Sequence, residues 1–88
     1  MEQLVKLATQ IGERLKDNQQ TVTTAESCTG GGIAYMLTEI AGSSAWFERA
    51  FVTYSNDAKH DMVGVSQETL VAHGAVSEEV AAQMAEGA

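Results

Sequence analysis

This 88-residue chain predicts an α/β architecture, a three-layer α/β/α arrangement around a parallel or mixed sheet, present only as a truncated part. Three observations carry that prediction. Segments with helical spacing alternate with short β-branched runs, the pattern of a layered α/β domain. A run of three glycines, Gly30-Gly31-Gly32, separates the first such run from an apolar helical segment, which reads as a strand–turn–helix junction. Only two strands are legible, and a final helix is still running at Ala88, whereas open sheets usually have more strands.

The elements follow in order. Leu4, Leu7, Ala8, Ile11 and Leu15 recur at helical spacing, with Lys6, Glu13, Arg14 and Lys16 beside them, so an amphipathic helix opens the chain. Gly12 sits inside it at some cost in helix propensity. Asp17 to Gln20 form a polar turn, and Thr21 to Ala25 a first strand. Ile33, Ala34, Met36, Leu37 and Ile40 predict a second helix, stopped by Gly42. A loop follows, anchored by Trp46 and Phe47, and Ala50 to Tyr54 read as a second strand. Ser55, Ser66 and Ser77 are placed to cap three further helices, the first ending at Gly64 and the second at His73-Gly74. Asp57 in one first turn and Glu78 and Glu79 in another suit the positive helix end.

Composition narrows the function. Hydrophobic residues make up 44% of the chain, too many for a disordered one. The formal charge is −7, from 12 acidic and 5 basic residues, which argues against nucleic acid and anionic membrane surfaces as partners. No apolar run is long enough to span a membrane, and the first residues lack a signal-peptide pattern, so the expected location is the cytoplasm. One cysteine, Cys28, excludes an intrachain disulfide, and no cluster at ligand spacing predicts a metal. No cofactor is expected.

The junction Glu26-Ser27-Cys28-Thr29-Gly30-Gly31-Gly32 carries the chemistry. A serine at a strand-to-helix turn can act as a nucleophile, with the following backbone N–H groups as an oxyanion hole. The same donors could cradle a phosphate, although the lysine-serine/threonine ending of a P-loop is missing. On spacing alone, a serine before a helix is more often a cap than a nucleophile. Cys28 is the rival nucleophile, but strand alternation would turn it inward when Ser27 faces the site, as a small structural hydrophobe. His73 suits a helix C-terminus, and His60 lies in a charged, solvated stretch. Tyr54, ending a strand, and Lys59, in the first turns of the next helix, can reach the same sheet edge as Ser27. A desolvated lysine near a helix N-terminus favours the neutral form less reluctantly, and neutral it can take a serine proton. The opposing reading is a surface lysine paired with Asp57 or Asp61 and a core tyrosine.

The stretch from Thr24 to Gly31 (TAESCTGG) is very similar to the signature of the CinA C-terminal-domain family. Val52 to Lys59, Val63 to Val65 and Gly74 to Ala81 resemble its later motifs in the same order. The resemblance implies a nicotinamide-nucleotide amidase, which converts nicotinamide mononucleotide to nicotinic acid mononucleotide and ammonia. It implies a three-layer domain, usually a homodimer, with a small-molecule pyridine nucleotide as substrate. Carried over motif by motif, the family's proposed nucleophile falls on Ser27 and its assisting residues on Tyr54 and Lys59. The oxyanion donors are expected around Thr29, Gly30 and Gly31. Residues 1–88 then represent the N-terminal half of one such domain, without the second half's Gly-rich motif. Ala50 stands where the family commonly has glycine, and would be strained if that backbone needs a positive φ. Two non-enzymatic readings accompany the amidase: a nucleotide-binding module, and an interaction fragment with an open sheet edge.

Overall fold

A computed structural model covering residues 1–88 contains two parallel strands and five α-helices. In chain order these are α1 (Glu2–Asp17), β1 (Val22–Glu26), α2 (Gly32–Thr38), a 3₁₀ turn (Ser43–Ala45), β2 (Phe47–Val52), α3 (Asn56–Val63), α4 (Gln67–His73) and α5 (Glu78–Gly87). Parallel neighbours need a crossover, and α2 supplies it.

Strand alternation divides the helices between two faces. Val22 and Phe47 pack with Ala8, Leu37 and Trp46, the core shared with α1 and α2. Ala25 and Phe51, paired across the strands, pack with Val63, Val65, Val80 and Met84, the core shared with α3 and α5. The result is the expected α/β/α layering around a small parallel sheet.

Three local features explain how the sequence folds this way. Gln20 N donates to Leu15 O and Gln19 N to Lys16 O, closing α1 with the paired bonds of a Schellman turn. Gln19 occupies the left-handed position there, at φ 54°. All three predicted serine caps form: the hydroxyls of Ser55, Ser66 and Ser77 accept from the N–H groups of Ala58, Thr69 and Val80. Trp46 is buried against Gly12, where an added Cβ would lie 2.5 Å from the indole ring. Gly12 is therefore a packing residue, which accounts for a glycine inside a helix.

Two boundaries differ from the sequence reading. The second strand begins at Phe47 and ends at Val52, rather than running from Ala50 to Tyr54. Its first turn of sequence holds Glu48 and Arg49, which pair with each other at 2.7 Å on an exposed surface, so their charge hid the strand. α2 ends at Thr38, before Gly42, which instead enters the 3₁₀ turn at φ 82°. Ala50 lies within β2 opposite Thr24, and Gln19 is the only non-glycine residue with positive φ, so Ala50 carries no such strain.

Between α1 and α2 the surface forms an apolar groove of about 450 Å³, lined by Leu4, Leu7, Ile11, Ile33 and Met36 among others. No helix is long and apolar enough to cross a membrane. The packing of Trp46 on Gly12 predicts that Gly12→Ala destabilises the chain by about 1–3 kcal/mol through overpacking, outweighing a propensity gain of about 1 kcal/mol. Urea unfolding checks this; a higher midpoint for the variant would contradict the contact.

Candidate active site

The C-terminal ends of β1 and β2 are tied together just beyond their last ladder pair, Glu26 opposite Val52. Thr53 N donates to Glu26 O at 2.7 Å and Thr53 Oγ1 to the same carbonyl at 3.3 Å. Thr53 is fully buried. This clamp sets the turn after Glu26 beside the segment after Val52, at the edge where open α/β sheets place their sites.

Ser27 and Lys59 meet there. Lys59 Nζ lies 3.1 Å from Ser27 Oγ and donates to Tyr54 O at 2.9 Å. The Ser27 hydroxyl donates to the same Tyr54 carbonyl at 3.3 Å. The Ser55 cap starts α3 immediately after Tyr54, and helical side chains tilt toward the N-terminus. Lys59 therefore reaches back over Ser55 to the sheet edge. It is 2% exposed, and no carboxylate lies within ion-pair distance of it. The surface pairing with Asp57 or Asp61 is not formed.

Tyr54 enters this triangle through its main-chain carbonyl. Its side chain is 73% exposed, and its phenol makes no hydrogen bond to Ser27 or Lys59. Cys28 also departs from expectation: its thiol is exposed rather than turned inward. Strand alternation stops at Glu26, and residues 27 to 31 are turn, so the period-two rule does not extend to Cys28. His60 is exposed with Nδ1 2.8 Å from Val65 O, and His73 ends α4 with Nδ1 3.5 Å from Glu79. Neither ring contacts Ser27.

The glycine turn distributes its donors unevenly. Gly30 N donates to Ser27 O and Gly32 N to Thr29 O, both at 2.9 Å. The N–H groups of Ile33 and Ala34 donate to the Glu26 carboxylate at 2.9 Å each. Thr29 Oγ1 donates to it at 2.6 Å. The N–H groups of Cys28 and Thr29 have no acceptor within the chain. Of the three expected oxyanion positions, then, Thr29 has a free N–H, Gly30 is engaged in the turn itself, and Gly31 is turned toward the Glu26 carboxylate.

Glu26 is the residue that sequence reasoning passed over. Its side chain is 3% exposed. Burial pushes its carboxyl up, but the bonds from Thr29, Ile33, Ala34 and Gly31 outweigh burial and hold it below the ordinary value of 4.5. The signal was available: a carboxylate just ahead of a glycine-led helix complements that helix's positive end.

Comparison with known proteins identifies the family and the fold. The sequence model described as CinA C-terminal domain matches residues 4–88. The chain belongs to the CinA C-terminal domain family. It is 63% identical over 86 residues, 98% of its own length, to the Escherichia coli (strain K12) protein named nicotinamide-nucleotide amidohydrolase PncC, and covers 52% of that protein. Its backbone matches the crystal structure of competence/damage inducible protein CihA from Agrobacterium tumefaciens with a TM-score of 0.94 at 58% identity, over 97% of this chain and 52% of that one. A CinA superfamily structure from Escherichia coli gives 0.95 at 41% identity, over 97% and 49%. The chain thus spans about half the length of the CinA-family relatives it matches.

Because the Glu26 carboxyl is held below its ordinary value, the folded state binds this proton less readily than the unfolded state. Its contribution is complete above the unfolded value and is lost as pH falls through the folded one. The melting temperature of the chain should therefore fall as pH is lowered below the ordinary carboxylate value, and fall less in Glu26→Gln. Parallel pH dependences for the two proteins would refute the role assigned to this carboxylate.

Proposed function

We propose that this chain supplies the nucleophilic half of an amidohydrolase that deamidates nicotinamide mononucleotide. The observation that carries the proposal is the 3.1 Å approach of a buried, carboxylate-free Lys59 amine to the Ser27 hydroxyl. A lysine that serves only as a surface charge has no reason to be buried against a serine and a carbonyl. The name of the relatives, nicotinamide-nucleotide amidohydrolase, supplies the substrate class.

In this mechanism the Ser27 proton turns from Tyr54 O toward Lys59 Nζ, which accepts it as a neutral amine. Ser27 Oγ bonds to the carboxamide carbon of the nicotinamide ring. The N–H groups of Cys28 and Thr29 receive the developing oxyanion, with Gly30 and Gly31 shaping the turn that presents them. The carbon–nitrogen bond then breaks, and ammonia leaves with the proton returned by Lys59. Water adds to the acyl carbon, giving its proton to Lys59. Collapse releases nicotinic acid mononucleotide and restores the Ser27 hydroxyl. Tyr54 contributes by holding both polar groups with its carbonyl, while its exposed phenol is free to meet substrate. No cofactor or metal enters these steps. The assembly we propose is a homodimer, acting in the cytoplasm on a small-molecule pyridine nucleotide.

The alternative of a phosphate-cradling module is less well supported. The α2 N-terminus already holds an anion, the chain's own Glu26. The first-turn donors Ile33 N and Ala34 N are therefore engaged, and only the N–H groups of Cys28 and Thr29 are left for an incoming anion. The apolar groove between α1 and α2 offers no charged lining, which suits packing better than a nucleotide.

In a full-length domain bearing this sequence, Ser27→Ala should abolish ammonia release from nicotinamide mononucleotide while leaving the circular-dichroism spectrum unchanged. Retained ammonia release would overturn the assignment. Lys59→Met should lower kcat by about 10²–10⁴-fold, the usual scale for a general base. A kcat within a few-fold of the parent would remove Lys59 from the mechanism.

A further inference from the structure

Ser27 lies on the turn ahead of α2 and does not cap that helix. The N-cap position of α2 is Gly31, at φ 96°, with no side-chain cap bond of its own. The first-turn donors are met from further back, by the Glu26 carboxylate accepting from Ile33 and Ala34. The carboxylate also holds Thr29 Oγ1, while the Glu26 carbonyl is held by Thr53. One residue thus fastens the turn at its start, in its middle and at the helix it leads into.

We propose, resting on the reading of Ser27 as nucleophile, that Glu26 is the positioning residue of this site: its carboxylate caps α2 and pins the turn that carries Ser27, holding the serine hydroxyl against Lys59. Without this carboxylate the N–H groups of Ile33 and Ala34 and the Thr29 hydroxyl all lose their acceptor. The turn between β1 and α2 is then released, and the Ser27 hydroxyl it carries is no longer held against Lys59 Nζ. The arrangement also answers an electrostatic difficulty. A negative side chain one residue from an oxyanion would oppose it, but this charge is already met by the helix end and the Thr29 hydroxyl.

The test uses the 88-residue chain and an alkyl fluorophosphonate, which reports an activated serine without needing a complete substrate pocket. In labelling, Ser27 Oγ bonds to phosphorus, fluoride leaves and Lys59 takes the proton. Rates are measured well below each variant's melting temperature for the parent, Glu26→Gln, Lys59→Met and the double variant. Glu26→Gln should slow labelling by about tenfold or more. Lys59→Met should slow the parent, yet add little once Glu26 is changed, because the hydroxyl has already left the amine. A purely structural role would give additive losses, or none, and either result would overturn the proposal. If Glu26→Gln does not fold, Thr29→Val replaces it in the same cycle, and Thr29→Ser, which keeps the hydroxyl, should restore the rate. A parent chain labelled no faster than Ser27→Ala would instead refute the nucleophile reading itself.

Discussion

The buried carboxylate of Glu26 is the interaction on which the rest of the site depends. It ends β1, lies over the start of α2 and accepts from Thr29, Ile33 and Ala34. An ionised carboxyl is costly to bury alone, and becomes favourable only when its lone pairs are met by aligned donors. Here the donors are those that a helix N-terminus leaves unpaired. The two needs cancel, and the glycine turn between them is held in one conformation.

From that anchor the geometry propagates across the sheet edge. Thr53 binds the carbonyl of Glu26 and so brings the Tyr54 carbonyl against Ser27. Ser55 caps α3 directly afterwards, and the tilt of helical side chains returns Lys59 to the same point. A buried amine beside a hydroxyl, with free N–H groups on the adjoining turn, is the minimum equipment of a serine–lysine acyl-transfer site. The family's amidohydrolase members supply a fitting reaction.

Much of this was legible in the sequence, and the misses have physical causes. Helical spacing located α1, and three serines announced their helices because capping is a local interaction between neighbours. Ser27 and Lys59 could be named as residues able to meet, since strand ends and helix starts share one edge of a parallel sheet. Their distance could not be read, because it depends on the clamp by Thr53, a long-range contact with no local signature. The charged start of β2 concealed a strand whose side chains pair with each other on the surface. Cys28 was assigned to the interior by extending strand alternation into a turn where it no longer applies. Gly12 had no explanation until Trp46, 34 positions later, was found against it.

Acid-quenched turnover of nicotinamide mononucleotide by the full-length domain, followed by peptide mass spectrometry, tests the central claim most directly. The account predicts an acyl adduct with the mass of the nicotinic acid mononucleotide acyl group on the oxygen of Ser27. An adduct on the neighbouring exposed thiol of Cys28, or continued turnover under conditions that trap acyl-enzymes but yield no adduct, would contradict it.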